Sequence, residues 1–134
     1  NNASGTITTN ASGGSVTVNN GTITTNNGTV TTNLGTITTN ASGEVTSNAG
    51  TITTNASGGV VTNASGGVVS TNASGGSVVS NAGTVTTNNG NVRLTTGVIT
   101  GGSGTISATA TTNLASHTAG TNVTLPSGGG LVWW

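Results

Sequence analysis

The sequence predicts an all-β protein, a β-solenoid in which each coil of about 15 residues contains two short strands and no helix. The first observation is a unit of Gly, Thr-aliphatic-Thr-Thr and Asn, which recurs in residues 21–40 as GTITTNN, GTVTTNL and GTITTN. The second is that β-branched residues and Gly dominate these units, a composition that disfavours helix and favours strand. The third is that aliphatic residues of one type return about every fifteen positions, as expected when each coil places one strand on each of two walls.

One central aliphatic residue per unit marks each predicted strand. In the first half of the chain isoleucine units alternate with valine units, which places an isoleucine column on one wall and a valine column on the other. A three-walled coil of about 22 residues is the competing register, and we favour two walls because three would mix the columns. The central residues are Ile7, Ile23, Ile37 and Ile52 on one wall, Val16, Val30, Val45 and Val60 on the other, followed by Val68, Val78, Val85, Val92, Ile99 and Ile106.

The residues around each central aliphatic fit a short strand that ends in a tight corner. Alternation along Thr22-Ile23-Thr24 points the isoleucine inward and both threonines outward. Gly suits the corners because tight turns need positive φ or a close approach of two backbones. Asn closes each strand, and its amide can bond to the equivalent Asn one coil along. We therefore predict a structural asparagine ladder of Asn10, Asn26, Asn33, Asn40, Asn48, Asn55, Asn63, Asn72, Asn81 and Asn88.

The repeat changes toward the C-terminal end. Longer turns of the form Asn-Ala-Ser-Gly-Gly occur at residues 55–59, 63–67 and 72–76, and their extra length predicts a bulge in a wall. After residue 90 the alternation is less strict, and Pro126 interrupts it because proline cannot donate to a strand ladder. We therefore divide the chain into a solenoid domain, residues 1–125, and a C-terminal apolar tail, residues 126–134.

The tail is the aromatic and most apolar element of the chain. A Gly-rich hinge at residues 128–130 leads into the predicted docking residues Leu131, Val132, Trp133 and Trp134. The two tryptophans can bury roughly 300–500 Å² on docking. Because the ends of a solenoid also expose unpaired strand edges, we expect the tail to pack on a neighbouring copy and to build a head-to-tail homopolymer.

Charge is almost absent, which excludes several classes of partner. The 134 residues include one basic residue, Arg93, one acidic residue, Glu44, and one histidine, so the net charge is near zero. Such a chain is not steered toward nucleic acid or an anionic membrane, and no apolar run is long enough to span a bilayer. Glu44 and Arg93 fall on the outer edge of the valine wall about three coils apart, too far to pair within one chain but able to pair between neighbouring chains.

Residues for catalysis or metal binding do not form a set. His117 is a single histidine with one remote carboxylate, which supplies neither a nucleophile–base pair nor a carboxylate pair. The chain also has no cysteine, so convergent metal ligands are missing from the sequence. We therefore expect a protein that is not an enzyme and that binds no metal and no cofactor.

The predicted surface carries threonine columns and Asn-x-Ser/Thr sequons. The Thr-x-Thr segments at residues 6–8, 22–24, 36–38 and 51–53 predict a flat double column of threonine that resembles the ice-binding face of β-solenoid antifreeze proteins. Threonine is also a favourable polar residue for any exposed strand, and we favour this plainer reading because threonine flanks both walls. Asn-x-Ser/Thr sequons that fall outside the ladder are candidate glycosylation sites: Asn2, Asn20, Asn27 and Asn122.

Residues 90–125, GNVRLTTGVITGGSGTISATATTNLASHTAGTNVTL, resemble the β-helical repeats of filamentous-haemagglutinin-like and autotransporter adhesins. The Gly-Thr-Ile-Thr-Thr-Asn units of residues 21–88 look like the same class in a simpler form. The resemblance implies a secreted or cell-surface β-solenoid that serves as a stalk or adhesive surface, with a host or surface ligand that the residues do not identify. We therefore predict a self-assembling filament subunit or adhesin shaft segment, with an ice-binding protein and a viral or phage fibre as alternatives.

Overall fold

The structure, a computed structural model, describes residues 1–108, 112–114, 123–124 and 131–133. These residues form short strands joined by turns, and no helix occurs among them. The strands are β1 (Thr6–Asn10), β2 (Ser15–Asn19), β3 (Thr22–Asn26), β4 (Thr29–Asn33), β5 (Thr36–Asn40), β6 (Glu44–Asn48), β7 (Thr51–Asn55), β8 (Val60–Asn63), β9 (Val68–Asn72), β10 (Ser77–Asn81), β11 (Thr84–Asn88), β12 (Asn91–Leu94), β13 (Val98–Gly101), β14 (Thr105–Ala108), β15 (Thr112–Leu114), β16 (Val123–Thr124) and β17 (Leu131–Trp133).

Successive strands alternate between two parallel sheets, which are the two walls of a β-solenoid. Odd-numbered strands β1 to β13 form a seven-stranded sheet, the odd sheet, and even-numbered strands β2 to β16 form an eight-stranded sheet, the even sheet. Within these two sheets each strand pairs with the strand two places along the chain, so the sheets grow along the axis one coil at a time, and β15 and β17 form a separate two-stranded sheet. Equivalent asparagines in consecutive coils lie 14 to 18 residues apart. The predicted fold class, with two strands in a coil of about 15 residues, is confirmed.

The core consists of two columns of aliphatic side chains between the two sheets. Ile23 is paired with Ile37 and Ile37 with Ile52 in the odd sheet, while Val30 is paired with Val45 in the even sheet. All five of these side chains are fully buried. The separate isoleucine and valine columns predicted for the first half of the chain are therefore confirmed, as is the preference for two walls over three.

Two of the predicted core positions were wrong by one residue. Val61 and Val69 are the buried residues, whereas Val60 and Val68 face outward and are half-buried. The reason is that the residue after the corner glycine occupies the outward position in every coil, as Glu44 does after Gly43. Val60 pairs with Glu44 and therefore takes this outward position, and Val61 pairs with Val45 in the core.

The even sheet is irregular at β8 because this strand is short, and not because of the longer turns from which a bulge was predicted. Strand β8 has four residues, whereas its neighbours β6 and β10 have five each. The pairing register consequently shifts between the inward valine and the closing asparagine on both sides of β8. The regular backbone pairing of β8 with β6 and with β10 resumes at Asn63. The missing residue therefore disturbs the sheet only locally, and the solenoid continues.

Candidate functional site

A buried asparagine ladder, the odd ladder, runs along the ends of the odd strands. The Nδ2 atom of Asn26 donates to Oδ1 of Asn40 at 2.8 Å, and Nδ2 of Asn40 donates to Oδ1 of Asn55 at 2.8 Å. The same bond of 2.7 to 2.8 Å joins each member to the next. The odd ladder consists of Asn10, Asn26, Asn40, Asn55, Asn72 and Asn88.

A second ladder, the even ladder, follows the even strands in the same way. Its side-chain bonds are 2.7 to 2.9 Å long. Its first two members, Asn1 and Asn19, were not among the asparagines named from the sequence. Asn19 is fully buried and lies 14 residues before Asn33, so the repeat spacing could have identified it. The even ladder consists of Asn1, Asn19, Asn33, Asn48, Asn63 and Asn81.

Both ladders point the same way along the solenoid axis. In every bond the amide nitrogen belongs to the earlier coil and the oxygen to the later coil. The remaining amide hydrogen is used as well, since Nδ2 of Asn40 also donates to the carbonyl oxygen of Gly43 at 3.0 Å. Backbone bonds run beside the side-chain bonds, as from the Ala41 nitrogen to the Asn26 oxygen at 2.9 Å. The corners on each side of the solenoid thus form a continuous row of aligned amide groups along the axis, and the hydrogen bonds in such a row polarise one another.

The even ladder ends where the sequence of the unit changes. Leu94 takes the position opposite Asn81 and is fully buried there. Asn81 still donates to the Val98 carbonyl oxygen at 3.3 Å. A leucine side chain can neither accept nor donate a hydrogen bond, so the row of asparagine side chains stops at this coil and apolar packing replaces it.

The outer face of the odd sheet, the threonine face, carries hydroxyl and methyl groups in two columns. The first column is Thr6, Thr22, Thr36, Thr51, Val68, Thr84 and Val98, and the second is Thr8, Thr24, Thr38, Thr53, Ser70, Thr86 and Thr100. Within the described part of the odd sheet, this face has no charged side chain. Neighbouring strands are about 4.8 Å apart, and the two columns are separated by about 6.7 Å, twice the rise per residue.

The outer face of the even sheet is less regular and holds both Glu44 and Arg93. The two residues are exposed and lie on β6 and β12, three strand spacings apart in the sheet. Beside Arg93 is a shallow groove of about 320 Å³ lined by outward residues of β10, β12 and β14, with Ser77, Val79 and Asn91 on its walls. The Val79 side chain is 43% exposed.

The candidate glycosylation sites differ in accessibility. Asn2 and Asn20 are exposed in the corners. Asn27 is half-buried, and its Oδ1 accepts a hydrogen bond of 3.1 Å from the Ser42 hydroxyl. Asn122 lies outside the described residues. Sugar could be added to Asn2 and Asn20 without disturbing either ladder, because neither residue belongs to one.

The C-terminal docking residues lie partly within the described chain. Leu131–Trp133 form β17, which is paired in parallel with β15, Thr112–Leu114, of the same chain. Trp134 and His117 lie outside the described residues. The predicted boundary at residue 126 and the docking of this tail on a neighbouring copy stay predictions.

Neither a cluster of metal-ligating side chains nor a long apolar helix occurs among the described residues. In residues 1–108 and the three short C-terminal strands, no group of three His, Cys, Asp or Glu side chains comes together. The same residues include no helix long and apolar enough to cross a membrane.

Comparison with known proteins leaves the fold as the only basis for classification. No family model, no curated protein and no solved structure matches the chain. The structure supports the general part of the resemblance noted in the sequence, a β-solenoid built from stacked repeats. No family model supports its specific part, membership in the filamentous-haemagglutinin or autotransporter class.

Proposed function

We propose that this protein is a structural shaft, a rigid rod that acts as a spacer and does not catalyse a reaction. The observation that supports this most directly is the pair of continuous amide ladders, in which identical buried residues repeat coil after coil along the axis. Each coil contacts mainly its two neighbours, so adding coils lengthens the rod without a new core. A rod of this kind suits a secreted filament subunit or the stalk of a cell-surface adhesin.

The proposed shaft needs no metal, cofactor or nucleic acid. Its described surface has one cationic and one anionic side chain, Arg93 and Glu44, and is otherwise made of hydroxyl, amide and aliphatic groups. Such a surface is weakly repelled by other copies of itself. The expected partners are therefore further copies of the chain, joined head to tail, together with a ligand on a host or other surface.

The head-to-tail joint is proposed to use residues 126–134. Strand β17 has β15 as its one partner in the described chain, so its other edge can accept a further strand. Tryptophan side chains in this segment would add apolar area to such a joint.

Electron microscopy of the purified full chain and of a variant lacking residues 126–134 tests this proposal. The full chain should form long filaments of uniform width, and the deletion should leave short rods of the same width. Filaments of equal length in both samples would contradict the role of the tail. Compact particles with no long axis would contradict the shaft itself.

The threonine face favours a second candidate function, ice binding. This face presents a repeating array of hydroxyl and methyl groups with no charge in its described part, whereas both charged residues lie on the opposite sheet. A flat, periodic array can hold water in a repeating arrangement because each hydroxyl both donates and accepts a hydrogen bond. Val68, Ser70 and Val98 interrupt the threonine columns, so the most regular region is formed by β1, β3, β5 and β7.

Paired lysine substitutions on the two faces test ice binding. Thr24→Lys with Thr38→Lys should abolish any inhibition of ice growth, because two charges break the array in its most regular region. Thr31→Lys with Thr46→Lys places the same two charges at exposed positions of the even sheet and should leave the activity unchanged. Equal loss in both variants, or no thermal hysteresis in the unsubstituted protein, would rule out an ice-binding role for the threonine face.

A further inference from the structure

We propose that two copies of this chain pair laterally through their even sheets, with the rods antiparallel and Glu44 of each copy bound to Arg93 of the other. Both side chains are exposed on one flat face, and within the described chain neither forms an ion pair. Three strand spacings separate them, roughly 14 Å, which is beyond the reach of a contact within one copy. This inference does not depend on the shaft function or on the head-to-tail joint.

The sheet order makes the two charges equivalent under a twofold axis. The even sheet has the order β2, β4, β6, β8, β10, β12, β14, β16, and its midpoint falls between β8 and β10. Glu44 begins β6, two strands to one side of the midpoint in this order, and Arg93 lies on β12, two strands to the other side. A twofold axis parallel to the strands at this midpoint turns one outer face onto another and superimposes β6 on β12. One such contact is therefore always accompanied by its symmetric equivalent.

The groove beside Arg93 would receive the glutamate of the other copy. Glu44, Val60, Ser77 and Asn91 occupy one row across the even sheet, because each is paired with the next. The twofold axis consequently places the incoming Glu44 carboxylate over Asn91, which lines the groove. Arg93 is two residues along the same strand, about 7 Å away, a gap that an arginine and a glutamate side chain can close together. The Asn91 amide and the guanidinium would then both donate to one carboxylate.

Two apolar side chains and the polar Ser77 lie at the centre of the proposed interface, between the two charge pairs. Val60 on β8 and Val79 on β10 flank the twofold axis, and Val79 is 43% exposed in the single chain. Seven strands of four or five residues each and β16 with two residues give roughly 540 Å² per copy, using strand spacing and rise per residue. The total of about 1,100 Å² falls in the size range of weak, transient interfaces, just below the roughly 1,200 Å² of stable ones. The described even sheet thus has the area, two central apolar side chains and the symmetric charges for a weak isologous dimer.

Charge reversal distinguishes this dimer from nonspecific association. Glu44→Arg places two like-charged contacts in the dimer, and Arg93→Glu does the same with opposite sign. Each variant alone should raise the dissociation constant about tenfold or more in sedimentation equilibrium at low salt, because two contacts change from attraction to repulsion. Mixing the two variants should restore the dimer as a heterodimer, since every contact between them is then attractive.

A variant with the same net charge on the other sheet is the matched control. Glu44→Arg changes the net charge from near zero to +2, because it removes one negative charge and adds one positive charge. Thr24→Arg with Thr53→Arg also gives +2 but on exposed positions of the odd sheet, and it should keep the dissociation constant of the unsubstituted chain. Circular dichroism would establish that all variants keep their β-structure.

Three results would overturn the lateral dimer: an unsubstituted chain that stays monomeric at all concentrations, single charge reversals without effect, or a mixture that stays dissociated. Deletion of residues 126–134 should leave the lateral dimer intact, whereas charge reversal should leave filament length intact. Failure of the lateral dimer is thereby separable from failure of the proposed head-to-tail joint.

Discussion

Replacing Asn40 by alanine is expected to lower the free energy of unfolding by about 3–5 kcal/mol, because it leaves several buried groups without partners at about 1–3 kcal/mol each. Asn40 is fully buried in the middle of the odd ladder. Its Oδ1 accepts from Asn26, and its Nδ2 donates to Asn55 and to the Gly43 carbonyl oxygen. Alanine removes the amide but keeps the strand, so the Asn26 donor and the Asn55 acceptor both remain buried and unpaired.

Thermal unfolding of Asn40→Ala and of a matched surface variant measures this effect. A loss of this size corresponds to a drop of roughly 10–20 °C in Tm for a chain of this length. Asn20→Ala is the control, since Asn20 is exposed and its side chain makes one bond of 3.4 Å, to the Asn1 carbonyl oxygen. The control should stay within about 0.5 kcal/mol of the unsubstituted chain. Similar small changes in both variants would mean that the ladder does not hold the coils together.

Replacing Gly50 by alanine is expected to destabilise the solenoid by about 3 kcal/mol, the upper end of the usual range for overpacking. Gly50 lies in the corner between β6 and β7. An added Cβ would overlap the Gly35 carbonyl oxygen of the preceding coil and would come within 2.7 Å of the Leu34 carbonyl carbon. Both neighbours are backbone atoms held by the ladder, so neither can move aside as a flexible side chain could.

Gly66→Ala separates this steric effect from the cost of backbone conformation. Gly66 has φ of +83° but no atom within 4 Å of an added Cβ. Alanine at this position should cost only about 1–2 kcal/mol, the penalty for an L-residue in the left-handed region. Chemical denaturation of the two variants should therefore give a clearly lower free energy of unfolding for Gly50→Ala than for Gly66→Ala. The reverse order would show that the coils can separate at the corner without losing stability.

Most of the fold followed from the spacing of a few residue types. When equal units stack in parallel, each residue lies next to the equivalent residue of the neighbouring coil. The alternation of isoleucine and valine units, as at Ile37 and Val45, was therefore enough to define two walls and the pairing partners in each. Most ladder asparagines were visible for the same reason, since nearly all of them close a strand three residues after its inward aliphatic residue, as Asn40 does after Ile37. Local repeats make this possible because the contacts of one coil are repeated in the next.

Positions at which the unit length changes could not be assigned in the same way. In the pair Val60-Val61 hydropathy allows either valine to be the inward one, and the strand register across from Glu44 and Val45 decides between them. Leu94 reads as a residue of an ordinary strand, yet it fills an asparagine position opposite Asn81 because β12 has one residue fewer than β10. The symmetric placement of Glu44 and Arg93 about the midpoint of the even sheet also could not be predicted, because it depends on the order of the strands in that sheet.

Insertion of two additional coils tests the shaft most directly. A second copy of residues 22–50, which contain β3, β4, β5 and β6, would be placed between Gly50 and Thr51 so that each new strand meets its usual neighbours. Small-angle X-ray scattering should then show a rod longer by about 10 Å with an unchanged cross-section, because each coil adds one strand spacing to each wall. The Tm should rise, since every added coil contributes one more interface. A wider particle of the same length, or a lower Tm, would contradict the account of a shaft built by stacking equivalent coils.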